Sequence, residues 1–195
     1  MNCHQYQSDA CHNATEAGLL PILNAACKED PGRLGHKWNA TNLDIWDFDE
    51  QTKTPLKQIP NFVQGDVLKL GELFEPKSWG LVVLGEFLEH CVPAAAEAAL
   101  KQIHTVLKDD GWLCLTFPLD SRPAHVQHGK HLLKVIVEGE TGHDITVWHQ
   151  TVWEEEMLEA LLRDTGFKVK HKTALTYSFV RGRDPAGWGM LLTKG

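Results

Sequence analysis

Residues 81–91, Leu-Val-Val-Leu-Gly-Glu-Phe-Leu-Glu-His-Cys, constrain the fold more than any other stretch of this chain. The run opens on Leu81, Val82, Val83 and Leu84, two of them β-branched. Aliphatic residues in sequence, without polar alternation, predict a strand buried on both faces, as in the middle of a parallel sheet. The run stops at Gly85 and passes into a polar cluster of Glu86, Glu89 and His90. In open α/β sheets, ligands bind beyond the carboxyl ends of such strands. Two carboxylates and an imidazole at that point therefore mark a candidate site.

A parallel strand needs parallel neighbours and crossover helices. The apolar run 19–27 predicts a first strand starting at about Ile22, because Pro21 confines its beginning. Pro31, Gly32 and Gly35 break up the helix expected after it. Residues 40–46 read as a second strand, 47–60 as a loop or short helix, and 61–64 as a short third strand. Pro93 opens a helix at a favoured first-turn position. Ala96, Ala99, Leu100, Ile103, Val106 and Leu107 recur along it at helical spacing and face the sheet. Residues 108–111 end that helix, and 112–118 read as the fifth strand. Val135, Ile136 and Val137 fit either a short strand or part of a helix. Thr151 as a cap, acids in the next turn and Gly166 as a stop delimit a last helix. Residues 167–176 and 187–193 then form two strands around a turn at 181–185.

At 195 residues the chain is one domain. Residues 1–18 are polar and read as a short N-terminal arm or a single capping turn, and 19–195 as the domain. A net charge of −7, with no clustering of Lys and Arg, argues against a nucleic-acid backbone as partner. No apolar run reaches the length of a membrane span and no leader pattern is present, so the sequence predicts no membrane partner. The five cysteines are odd in number, scattered and without a C-x-x-C pair, which reads as reduced thiols in the cytoplasm. His125, His128 and His131 lie at i, i+3 and i+6, a spacing that can hold a metal on a helix. No cysteine or carboxylate nearby completes that ligand set, and loop histidines are commonly solvated.

The aliphatic strand running into Glu86-Phe87-Leu88-Glu89-His90 resembles the segment after strand 4 of class I S-adenosylmethionine (SAM) methyltransferases. The match continues through the helix, Leu107-Lys108-Asp109-Asp110-Gly111 and the strand ending at Pro118. A second match runs from His149 through Trp153, Glu154 and Glu155 to Gly166-Phe167. The resemblance implies a Rossmann-like α/β fold: a seven-stranded, mostly parallel sheet with its last strand antiparallel and helices on both faces. It also implies that residues 119–149 form a substrate-wall insert.

In the family's D-x-G-C-G frame this chain has Asn24, Ala25, Ala26, Cys27 and Lys28. Asn24 replaces the acid, and Ala26 and Lys28 replace glycines, which points to weakened or altered cofactor binding. The resemblance implies SAM as cofactor, held by Asn24, Ala25, Ala26, Cys27, Asp44, Ile45, Asp66, Val67, Leu84, Gly85 and Glu86. Asp44 would take the ribose hydroxyls, with Asp47 and Asp49 as competitors for that role. Asp66 would take the adenine amine, although alone it reads as a helix cap.

His90 and His149 are the candidate general bases, because an oxygen nucleophile must lose a proton. The alternative is that His90 caps the strand-4 turn and His149 hydrogen-bonds to it. A third option is a divalent metal held by Glu86, Glu89, His90 and His149, a set resembling that of small-RNA 2′-O-methyltransferases. The function expected is methyl transfer to an oxygen or nitrogen of a small molecule. The alternatives are a metal-dependent RNA 2′-O-methyltransferase and a non-methylating, SAM-binding member of the fold.

Overall fold

A computed structural model describes residues 1–26, 31–45, 48–49, 54–55, 58–118, 135–138, 144–147, 151, 153–176 and 186–195. Seven strands, β1 (Ile22–Ala25), β2 (Thr41–Asp44), β3 (Phe62–Gln64), β4 (Trp79–Gly85), β5 (Leu107–Pro118), β6 (Phe167–Leu175) and β7 (Gly187–Lys194), form one sheet. Their spatial order is β6-β7-β5-β4-β1-β2-β3. The neighbours from β3 to β5 pair parallel, and β7 runs antiparallel to both β5 and β6. This is the expected mostly parallel sheet with an antiparallel last strand.

β4 sits between β1 and β5, and its two faces feed two different cores. Val82 and Leu84 pack with Leu70 of the short helix α3 (Leu70–Leu73), with Ala96, Leu100 and Ile103 of helix α4 (Pro93–Val106) and with Leu158 and Leu162 of helix α5 (Glu155–Asp164). Leu81 and Val83 pack with Tyr6, Cys11 and Ala14 of helix α1 (Cys3–Glu16) and with Leu34 of helix α2 (Pro31–Trp38). Burial on both faces explains why the run does not alternate. Each fully buried Leu or Val contributes about 1.5–3 kcal/mol relative to exposure. Gly80 is obligatory for the same packing: a Cβ there would lie 2.3 Å from the Leu19 carbonyl carbon.

Four expectations need correction. Residues 1–18 are more than an arm: α1 spans 14 residues and buries Cys3, Tyr6, Gln7, Ser8, Ala10, Cys11 and Ala14. Small and polar side chains form that buried face, so it lacks an aliphatic signature. Pro31 does not break up the helix after β1 but occupies its first position, where a missing N–H removes no helical bond. Chain from 47 to 60 contributes a two-residue ribbon, 48–49 against 54–55, where a loop or short helix was expected. Finally, α4 ends at Val106 and β5 begins at Leu107, so residues 108–111 extend the strand instead of linking the two elements. Residues 135–138 and 144–147 of the expected insert pair as an antiparallel ribbon apart from the main sheet. Among the described residues, no helix is long and apolar enough to cross a membrane.

Candidate active site

Parallel register brings the strand ends to one level. Ala25 is paired with both Leu43 and Leu84, so Ala26, Asp44 and Gly85 follow at the same height. Asp44 is paired with Gln64 in turn, and the Gly65 amide donates to the Asp44 carbonyl at 2.8 Å. The carboxyl ends of β1 to β4 thus share one rim. Asp44 lies on it with only 4% of its surface exposed, whereas Ile45 beside it is 56% exposed. Asp66 follows β3, and its Oδ1 accepts from the Leu68 amide at 2.9 Å, capping the short turn Val67–Lys69.

Beyond β4 the chain turns sharply. Glu86 has φ of +52°, a left-handed conformation that non-glycine residues adopt at a cost of about 1–2 kcal/mol. A single 3₁₀ turn, Leu88–His90, then places Glu89 inside and leaves His90 half-buried. Their side chains adjoin, with His90 Nε2 4.0 Å from Glu89 Oε1. Cys91 reports the electrostatics of this corner. Burial, then the charges of Glu89 and Asp66, push its thiol up to about 12. The thiol therefore stays protonated at neutral pH, and the two carboxylates make the corner negative.

Three hydrogen bonds fasten this turn from outside. Trp153 Nε1 donates to the Leu88 carbonyl at 2.9 Å. The Thr151 amide donates to the Glu89 carbonyl at 3.1 Å. Thr151 Oγ1 donates to the Cys91 carbonyl at 2.6 Å. Thr151 was expected to cap α5; instead the cap residue is Glu154, whose side chain makes no capping bond, and Thr151 locks the turn after β4. Sequence reasoning missed this clamp because its acceptors are backbone carbonyls, which leave no mark in a sequence. The Trp153 of the second motif was the available signal.

Of the residues expected in the site, Asn24, Ala25, Ala26, Asp44, Ile45, Asp66, Val67, Leu84, Gly85, Glu86, Glu89 and His90 are described, and register gathers them along this rim. Cys27, Lys28, Asp47 and His149 lie outside the described residues, as do His125, His128 and His131. Among the described residues, no three His, Cys, Asp or Glu side chains converge to hold a metal. A cavity lined by Lys77, His104, Asp109 and Lys194 lies at the other end of the sheet, by the amino ends of β4 and β5.

A family model described as a methyltransferase domain matches residues 30–115. Residues 30–115 resemble a methyltransferase domain, and the sheet has the fold of solved SAM-dependent methyltransferases. A SAM-dependent methyltransferase from Clostridium acetobutylicum ATCC 824 superposes with a TM-score of 0.68 at 12% identity, covering 100% of this chain and 93% of that one. One from Methanosarcina mazei gives 0.66 at 19% identity over 92% and 96% of the two chains. The glycopeptide N-methyltransferase MtfA, complexed with SAM, gives 0.62 at 16% identity over 96% and 93%. No curated protein matches the sequence.

The carboxyl end of β1 is built in a specific way. Asn24 is 7% exposed and its Nδ2 donates to Asn42 Oδ1 at 3.0 Å on the neighbouring strand. Asn42 Nδ2 donates onward to the Pro60 carbonyl at 3.1 Å. The amide in place of an acid thus serves a buried polar chain linking β1, β2 and the approach to β3. Ala26 takes φ of +55°, the left-handed conformation that favours glycine, so the backbone bends there despite the methyl group.

Proposed function

We propose that this domain transfers the methyl group of SAM to an oxygen or nitrogen of a small molecule, with His90 and His149 handling the proton. The observation that carries the reading is the shared rim: a buried Asp44 level with Ala26 and Gly85, beside the clamped turn bearing Glu89 and His90. Bound SAM supplies an electrophilic methyl group on a sulfonium cation. Asp44 would accept two ribose hydroxyls, and Asp66, whose Oδ1 caps the turn, would take the adenine amine through its other carboxylate oxygen. The negative corner formed by Asp66 and Glu89 suits a cationic cofactor. Residues 119–149 are the proposed substrate wall. The net charge of −7 favours a small molecule over RNA, and buried cysteine thiols fit a reducing, cytoplasmic setting.

Calorimetry with SAM and S-adenosylhomocysteine (SAH) tests the cofactor assignment. The parent should bind both, and Asp44→Ala should lose about 1.5–3 kcal/mol of affinity, because two donors then lack a charged acceptor. Parental affinity in that variant would remove Asp44 from the site, and no binding by the parent would favour a non-methylating member of the fold. For the histidines, loss of a general base should lower turnover by about 10²–10⁴ with SAM affinity nearly intact. Full turnover in both His90→Ala and His149→Ala would leave transfer by proximity alone.

A further inference from the structure

The rim has a support that none of the motifs predicts. Gln7 of α1 is 8% exposed, and its Nε2 donates to Thr116 Oγ1 at 2.9 Å. Thr116 is fully buried and sits level with Gly85 in the β4–β5 register. Its carbonyl accepts the Glu86 amide at 2.9 Å. Gly85 itself leaves room for the Gln7 amide: a Cβ there would lie 2.2 Å from Gln7 Nε2 and 3.1 Å from Thr116 Oγ1. Gln7, Thr116, Gly85 and Glu86 therefore form one contact chain from the helix to the left-handed residue at the mouth of the site. A left-handed non-glycine residue persists only where its surroundings over-determine it. Methionine would fill the same space without burying an amide, so packing alone does not call for glutamine. The helix is itself anchored: Thr176 donates from both its amide and its hydroxyl to the Met1 carbonyl, at 2.9 and 3.2 Å.

We propose that Gln7 is a positioning residue of the methyltransferase site, holding Thr116 and the Gly85–Glu86 turn in the geometry the cofactor requires. The proposal rests on reading this rim as the SAM site. Two measurements on the full chain separate it from that reading. Hydrogen exchange at the Glu86 amide reports the turn without any ligand. It should quicken about tenfold or more in Gln7→Met and Thr116→Val, and stay parental in Thr116→Ser, which keeps the acceptor. SAH affinity by calorimetry should fall about tenfold in each of the first two variants, and the double variant should be no worse, because both break one bond. Thr116→Ser should again bind as the parent does. The melting temperature of Gln7→Met serves as the control for packing and should stay near the parental value. Parental exchange and parental affinity in Gln7→Met would overturn the proposal, as would an equal loss in Thr116→Ser. If the parent binds no SAH, the reading of the rim fails, while the exchange data still decide whether Gln7 holds the turn.

Discussion

Asn24 shows how one residue reconciles a family position with its local chemistry. A carboxylate stands there in the methyltransferases this sequence resembles, yet here the side chain must donate a hydrogen bond to Asn42 Oδ1. An aspartate would set two acceptors against each other. Rotating the Asn42 amide to meet it would turn an oxygen toward the Pro60 carbonyl, so either arrangement leaves a buried group unsatisfied. Asn24→Asp should therefore destabilise the fold by about 1–3 kcal/mol at neutral pH. Part of that loss should return on acidification, as the protonated acid regains a donor. Denaturant unfolding of the variant at two pH values checks both statements, and unchanged stability at neutral pH would show that the amide chain is not needed.

Among the elements, those that bury an aliphatic face were legible in the sequence and those that bury small or polar side chains were not. β4 was plain from Leu81 to Leu84, and α4 from its apolar spacing, because aliphatic side chains announce burial directly. α1 was opaque, since Gln7, Ser8 and two cysteines lie among the residues it buries. The candidate site divides in the same way. Asp44, Glu89 and His90 could be placed because strand ends are predictable, whereas the roles of Gln7, Thr116 and Thr151 arise from contacts 60 or more residues away in sequence. The far end of α4 carries its own consequence. His104 stacks edge-on against Phe167 and faces Lys194, Lys77 and Asp109 across the cavity. Burial, then the Lys194 charge, lower its pKa from the usual 6.5, with Asp109 opposing. Below pH 6.5 the unfolded chain takes up a proton that the folded chain resists, so this contribution to stability is present above that pH and lost as pH falls. His104→Gln should flatten the acid slope of melting temperature between pH 8 and 5, and an unaltered slope would place the sensitivity elsewhere.

Taken whole, the molecule separates its tasks along the strand direction. The carboxyl ends of β1 to β4 hold the buried Asp44, the left-handed Ala26 and Glu86, and the clamped turn. The amino ends hold backbone packing: Gly80 lies against Leu19 and Leu20, and its amide donates to the Pro21 carbonyl at 2.9 Å. A methyl group at Gly80 would meet Leu19 and Leu20 backbone atoms at 2.3–2.5 Å, which no side-chain rotation relieves. Gly80→Ala should accordingly cost about 1–3 kcal/mol of stability. Gly80 and the rim residue Gly85 belong to one strand, five residues apart, roughly 17 Å at ordinary strand rise. Effects at such separation usually add without coupling. At a temperature well below its melting point, Gly80→Ala should therefore bind SAH with parental affinity. Asp44→Ala should show the reverse, weak binding with a melting temperature changed far less than its affinity. Measuring both quantities on both variants gives a crossed pattern if the two ends are independent. Loss of SAH affinity in folded Gly80→Ala would show that β4 transmits strain from one end of the sheet to the other.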